Sequence, residues 1–274
     1  MKVLICLLLI FSIAACTKIE FGYSLAPRST MSRLDDSFDF KSDRYKQVRQ
    51  QVEKDFENNR SHLAHLAATH VDEITSLSHK KETTAQDFEK LYTSLQKSRV
   101  QLIRLFLGSF RSVIHELTPE ESENLKIFFA KKSMESEKKI SRKSTFIEKQ
   151  MGTFEKFMDF FFDGTNDNQR IIYRQFLNEN YDFFIAQIAA KKSFAKRFAD
   201  LFQEKENLLA FVVQYYSGTP SAKDPAIQAE YQQFIENLFV VQNKIWLASD
   251  QKQKDDLAEN LLNLKKQLQL LAKN

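Results

Sequence analysis

The sequence predicts an all-α protein, and three features of its composition support this. The 274 residues include only 5 Gly and 4 Pro, so the chain is poor in the residues that make tight turns. Apolar residues recur at helical spacing beside repeated capping signals. Phe occurs 25 times and supplies large side chains for a core. We therefore expect an elongated bundle of six or seven long helices, with residues 42–274 forming a single helical domain.

Charge and hydropathy narrow the class of protein further. Charged residues make up 28% of the chain and the mean hydropathy is −0.43, which excludes a multi-spanning membrane protein. The formal net charge of +4 at pH 7 is too small to indicate a nucleic-acid-binding protein by itself.

Residues 1–15 have the pattern of a bacterial signal peptide. A positive start precedes an apolar run over residues 3–13, in which only Ser12 is polar. Because a membrane-spanning helix needs about 20 residues, this run is too short to span a bilayer. It ends in two alanines and Cys16, which resembles the lipobox of bacterial lipoproteins. The resemblance implies cleavage before Cys16 and acylation of its thiol and amino group, which would anchor the protein stably in a membrane. An ordinary cleaved signal or a short buried helix are the alternatives.

The lipobox has consequences for location and for cysteine chemistry. Thr17 follows the cysteine, which implies the outer membrane, on its periplasmic side, with the inner membrane as the alternative. We expect no nucleic-acid partner in that location. Cys6 would leave with the signal peptide and Cys16 would be acylated, so packing alone would hold the mature fold.

Residues 16–41 are expected to be a lipidated tether. This segment contains Gly22, Pro27 and several Ser and Thr residues, and it shows little helical periodicity. Its apolar residues are too numerous for a wholly disordered chain. We therefore expect residues 31–40 to dock on the helical body.

Successive capping signals divide the rest of the chain into helices. Thr118 and Glu121 form the strongest signal, a capping box with Pro119 at the first helical position. In chain order, the predicted boundaries are Ser42, Thr84, Thr118, Gly164 with Asn166, Gly218 with Pro225, and Ser249 with Asp250.

The last helix carries a leucine seam with alternating steps of four and three residues, the pattern of a coiled coil. Its members are Leu257, Leu261, Leu264, Leu268 and Leu271. The seam is little more than two heptads long, so we expect a helical hairpin with the preceding helix.

Four segments together resemble a known family. They are Phe21-Gly22-Tyr23, residues 33–39, Leu117-Thr118-Pro119-Glu120-Glu121 and residues 247–251. The chain resembles the uncharacterised helical lipoproteins of Gram-negative bacteria that are grouped as a domain of unknown function. This resemblance implies a lipid-anchored helical protein and no known activity. The helix start at Thr118 is also similar to that of small periplasmic stress chaperones.

No motif indicates catalysis or a cofactor. The chain lacks a nucleophile elbow and a phosphate-binding loop, and acylation would remove Cys16 as a nucleophile. His62, His65 and Glu73 on one helix face have zinc-ligand spacing, but no second cluster would complete the site. A solvated helix face, with His70 as a core histidine, is the favoured interpretation. We therefore expect no catalytic residues, no metal and no cofactor.

Two surfaces are candidate binding sites. A basic stretch could contact anionic lipid headgroups or could be a solvated helix face; its residues are Lys131, Lys132, Lys138, Lys139, Arg142 and Lys143. A Phe-rich region could line an apolar groove or fill an ordinary core; its residues are Phe157, Phe160, Phe161, Phe162 and Phe198.

The sequence thus predicts a non-catalytic, lipid-anchored periplasmic protein that acts as a binding or structural module. Its expected partners are the membrane, through Cys16, and an envelope protein or an anionic lipid. The alternative is a chaperone or envelope-stress sensor that binds unfolded segments through the Phe-rich groove.

Overall fold

A computed structural model describes residues 19–218 and 227–273, and these residues form eleven α-helices and no strand. In chain order the helices are α1 (Ile19–Phe38), α2 (Ser42–Ser78), α3 (Ala85–Leu105), α4 (Leu107–Ile114), α5 (Pro119–Ile140), α6 (Lys143–Phe162), α7 (Asp167–Glu179), α8 (Tyr181–Asp200), α9 (Lys205–Ser217), α10 (Gln228–Leu247) and α11 (Gln251–Lys273). The all-α prediction is confirmed. The expected six or seven helices were too few, because several predicted long helices are divided. The lipobox with Cys16 and the predicted helix start at Pro225 lie outside the described residues.

Three of the predicted helix starts carry capping boxes in the structure. Thr118 caps α5: the Glu121 backbone N–H donates to Thr118 Oγ1 at 3.2 Å, and Glu121 Oε2 accepts from the Thr118 backbone N–H at 3.0 Å. Thr84 and Asn166 cap α3 and α7 with the same reciprocal arrangement. Gly218 ends α9 with φ at 81°, in the left-handed region that suits glycine.

The division between α3 and α4 is caused by a tertiary contact with α2. Asp55 of α2 is buried, and its Oδ2 accepts from the backbone N–H and the hydroxyl of Ser109, both at 2.7 Å. Asn59 donates to the backbone oxygen of Leu105 at 3.0 Å. These side chains satisfy backbone groups that a continuous helix would pair internally. The break at Phe106 therefore depends on contacts between residues that are 46 positions (Asn59 and Leu105) and 54 positions (Asp55 and Ser109) apart in the sequence.

The expected tether is largely helix α1, and its docking begins at Ile19 rather than at residue 31. The Ile19 backbone N–H donates to Gln267 Oε1 of α11 at 3.0 Å. The buried residues of α1 do not meet a single partner: Ile19 and Tyr23 join one apolar cluster, while Met31 joins another. Pro27 lies inside the helix and Gly22 lies near its start, and both residues disfavour a helix when the sequence is considered alone.

The last helix packs along α2, not in the expected hairpin with α10. All five seam leucines are buried, and α11 also contacts α6 and α1. Helix α10 instead packs against α7 and α3. The leucine periodicity predicted a buried seam, but it carried no information about the partner, and α2 offers the longest helix surface of the described chain.

Two apolar clusters make up the core. The larger one is centred on aromatic contacts such as Phe183 with Phe234, whose ring centroids are 4.0 Å apart. The smaller one surrounds Phe194 and Phe211, whose rings are 5.2 Å apart. Phe56 of α2 packs against both clusters. The central helix α2 thereby connects the two parts of the core.

Candidate functional site

An apolar cavity of about 600 Å³ lies between α1, α2, α3 and α11. Leucines from all four helices form much of its wall, among them Leu25 on α1, Leu63 on α2, Leu102 on α3, and Leu264 on α11. Small-molecule sites in proteins are typically about 300–1,000 Å³ and mainly apolar. The size and lining of this cavity therefore suit an apolar ligand.

Small residues on two facing helices leave the space open. Gly22 and Ala26 on α1 and Ala64 and Ala67 on α2 all line the cavity. Protein interiors are otherwise close-packed, so larger residues at these positions would fill the volume. The cavity thus exists because residues at the contact between two helices are small. A sequence motif does not reveal such a contact.

A hydrogen-bonded polar set lies in the cavity wall. His70 is 2% exposed, and its Nε2 lies 2.9 Å from Ser98 Oγ. Its Nδ1 lies 2.8 Å from Glu73 Oε2, while the other carboxylate oxygen of Glu73 accepts from the Ser94 hydroxyl. Because a carboxylate only accepts, the neutral imidazole would carry its proton on Nδ1 and would accept from the Ser98 hydroxyl at Nε2. His70 and Ser98 themselves line the cavity.

Tyr23 contributes a second polar group to the wall. Its hydroxyl donates to the backbone oxygen of Phe56. Burial raises the pKa of Tyr23 to about 12, although nearby Arg60 opposes this shift. The phenol therefore stays neutral at physiological pH and remains a hydrogen-bond donor.

The cavity reaches the surface at α1. Leu25, in its wall, is 40% exposed, and Phe21 is exposed one helical turn earlier. Arg33 also belongs to the lining, is exposed and forms no ion pair with any described residue. The opening therefore combines apolar side chains with one cationic group.

Of the two interpretations of the Phe-rich region, an ordinary core fits most of its residues and a groove does not. Phe161, Phe162 and Phe198 are buried, and Phe157 is half-buried against the larger cluster. Phe198 belongs to the smaller cluster, so the five rings do not share one surface. Only Phe160 of this set is exposed, at 42%. Packing between helices accounts for the other four.

The predicted basic stretch lies exposed at the end of α5 and the start of α6. Two of its members pair with Glu135: Lys132 at 3.1 Å and Lys139 at 4.0 Å. Lys143 donates to the backbone oxygen of Asn178 at 3.2 Å. The remaining three form no ion pair within residues 19–218 and 227–273: Lys131, Lys138 and Arg142. Contact of this surface with anionic headgroups stays a prediction.

The histidines of α2 point in different directions. His62 and His65 are exposed, whereas His70 is buried with Glu73 and Ser98. Across the described ranges, no three His, Cys, Asp or Glu residues are grouped as metal ligands would be. None of the described helices has the length and apolar character needed to cross a membrane.

Sequence reasoning singled out His70 and Glu73 of the polar set but did not identify Ser98. The position of His70 within the apolar face of α2 predicted a buried histidine. Ser98 gave no signal, because its role depends on how α3 packs against α2.

Compared with protein-family models, curated proteins and solved structures, the chain gives no match. The resemblance to helical lipoproteins of unknown function therefore stays a prediction, and the function is argued from this chain alone.

Proposed function

We propose that this protein is a lipid-anchored module of the bacterial envelope that binds the acyl chain of a lipid. The observation that supports this proposal is the cavity between α1, α2, α3 and α11. Burial of an apolar chain there is favourable by roughly 0.8 kcal/mol for each methylene group. The polar set at His70 and Ser98 gives the cavity a distinct end at which a ligand could be oriented.

The proposed anchor would hold the cavity opening close to the bilayer. Cys16 precedes Ile19 by three residues, which span at most about 11 Å when extended. Exposed Phe21 and Leu25 on α1 would then face the source of acyl chains. The outer membrane, on its periplasmic side, is the proposed location.

Filling the cavity is expected to abolish ligand binding. Ala67→Phe would place a ring in space that Ala67 leaves open, so affinity for dansyl-labelled undecanoic acid should fall at least about tenfold. The matched control is Ala189→Phe on the exposed face of α8, which should bind like the wild type. The measurement is a fluorescence titration of the full chain in amphipathic polymer, with circular dichroism to verify folding. Wild-type affinity in a folded Ala67→Phe variant would contradict the proposal, as would a wild-type protein that does not bind.

The proposed anchor is tested separately. Cys16→Ala should abolish metabolic labelling by an alkyne fatty acid and release the protein from the membrane fraction, because no acylated thiol remains. Cys6→Ala, within the predicted signal peptide, should retain the label. Labelled Cys16→Ala protein would show that the lipobox interpretation is wrong.

The chaperone alternative gains no support from a specific observation. It depended on an apolar groove, and three of the five Phe residues concerned are buried in the core. Binding of an envelope protein by another surface stays a prediction that crosslinking in intact cells would test.

A further inference from the structure

We propose that Ser98, His70 and Glu73 form a nucleophilic site that hydrolyses the ester of a long-chain fatty acid. The inference rests on the proposed function, because the cavity must first hold the acyl chain. It goes beyond binding, since it assigns a reaction to the polar end of the cavity.

The geometry is that of an activated serine. Nucleophile and base require a hydrogen bond of about 2.6–3.2 Å, with a third group orienting the base. Ser98 Oγ and His70 Nε2 are 2.9 Å apart, and His70 Nδ1 and Glu73 Oε2 are 2.8 Å apart. The Ser94 hydroxyl, bound to the other oxygen of Glu73, helps to hold the carboxylate in place.

The set faces a space that can hold a substrate. If the Ser98–His70 hydrogen bond served only to stabilise the packing of α3 on α2, neighbouring side chains could cover both residues completely. Here both Ser98 and His70 belong to the lining of the 600 Å³ cavity. An ester whose acyl chain occupies the apolar part would bring its carbonyl group to this end.

The reaction follows from the hydrogen-bond directions. Ser98 Oγ attacks the ester carbonyl carbon while His70 Nε2 takes the serine proton, and Glu73 stabilises the resulting imidazolium through Nδ1. Collapse of the tetrahedral intermediate breaks the bond to the alkoxy oxygen, which leaves as the alcohol with the proton from Nε2. Water then attacks the acyl-serine with His70 again as base, and the products are the fatty acid and free Ser98.

A donor for the developing oxyanion would have to be a side chain rather than a backbone N–H group. Ser98 lies within α3, where the backbone N–H groups are used in the helix. Apart from Tyr23, His70 and Ser98, the polar residues of the lining are Ser29, Thr30 and Arg33, all on α1.

The test is carried out on the full chain in amphipathic polymer. A fluorophosphonate with a long alkyl chain should form one adduct, located at Ser98 by peptide mass spectrometry, and p-nitrophenyl laurate should be turned over. Ser98→Ala should abolish both signals, and His70→Gln should lower turnover by about a hundredfold or more. Ser133→Ala, at a buried serine of α5, is the matched control and should react like the wild type.

Each result has a defined meaning. An unlabelled Ser98, or turnover that persists in Ser98→Ala, would overturn the proposed hydrolysis. Titration of the same variants with dansyl-labelled undecanoic acid shows whether only the hydrolysis proposal fails or whether the proposed binding of acyl chains fails as well. Retained binding without turnover leaves a binding protein, whereas loss of binding in the wild type removes both proposals.

Discussion

Phe234→Ala is expected to lower the free energy of unfolding by about 3–5 kcal/mol, the usual cost of removing a buried phenyl ring. Phe234 is 6% exposed and lies where α7, α8 and α10 meet. Its ring is 4.0 Å from that of Phe183, and it also contacts Phe176 and Phe184 at 5.4 and 5.5 Å. Truncation would leave a cavity that three helices cannot close without shifting.

Urea unfolding monitored by circular dichroism measures this effect, with Phe160→Ala as the control. Phe160 is the exposed member of the Phe-rich segment, so its loss should change stability little. Equal destabilisation by the two substitutions would contradict the assignment of Phe234 to the core and Phe160 to the surface.

Asp55→Ala is expected to destabilise the protein by about 3 kcal/mol, because hydrogen bonds to a charged group each contribute about 1.5–3 kcal/mol. The substitution removes the acceptor of both Ser109 donors and of Gln51 Nε2, which lies 2.7 Å from Asp55 Oδ1. Local unfolding should be visible as faster amide exchange at Ser109 and its neighbours in α4.

The control is Glu53→Ala, which removes an exposed carboxylate from the same helix. It should leave both stability and exchange in α4 almost unchanged. Protection at Ser109 that survives Asp55→Ala would show that Asp55 does not hold the start of α4.

Local sequence signals predicted where helices begin and end better than they predicted which helices pack together. The capping boxes at Thr84, Thr118 and Asn166 are satisfied within four residues, so the sequence contains the whole interaction. The break at Phe106 depends instead on Asp55 of α2. Gly108 shows how closely α2 and α4 approach there, since a Cβ at this position would lie 2.5 Å from Gln51 Nε2.

Helices α1 and α11 show the same limit. The leucines of α11 identified a buried face, but a seam of this kind fits any long apolar helix surface, and the structure places it on α2. The residues of α1 divide between two apolar clusters, and Gly22 and Pro27 made this segment unlike a helix in the sequence alone.

The candidate site was accessible to sequence reasoning only in part. His70 lies on the apolar face of α2, so its burial followed from periodicity. The contact of His70 with Ser98 joins residues 28 positions apart and depends on the packing of α3 on α2. The cavity beside them arises from small residues such as Ala26 and Ala67, which resemble ordinary helix residues until the facing helices are known.

The most direct test of the central claim is photocrosslinking of the full chain with a diazirine-labelled fatty acid, followed by peptide mass spectrometry. Occupation of the cavity predicts adducts on residues of its wall, such as Leu66, Leu102 and Leu268, and loss of these adducts in Ala67→Phe. Adducts confined to exposed apolar residues outside the cavity, such as Ile127 and Met134 of α5, would contradict it.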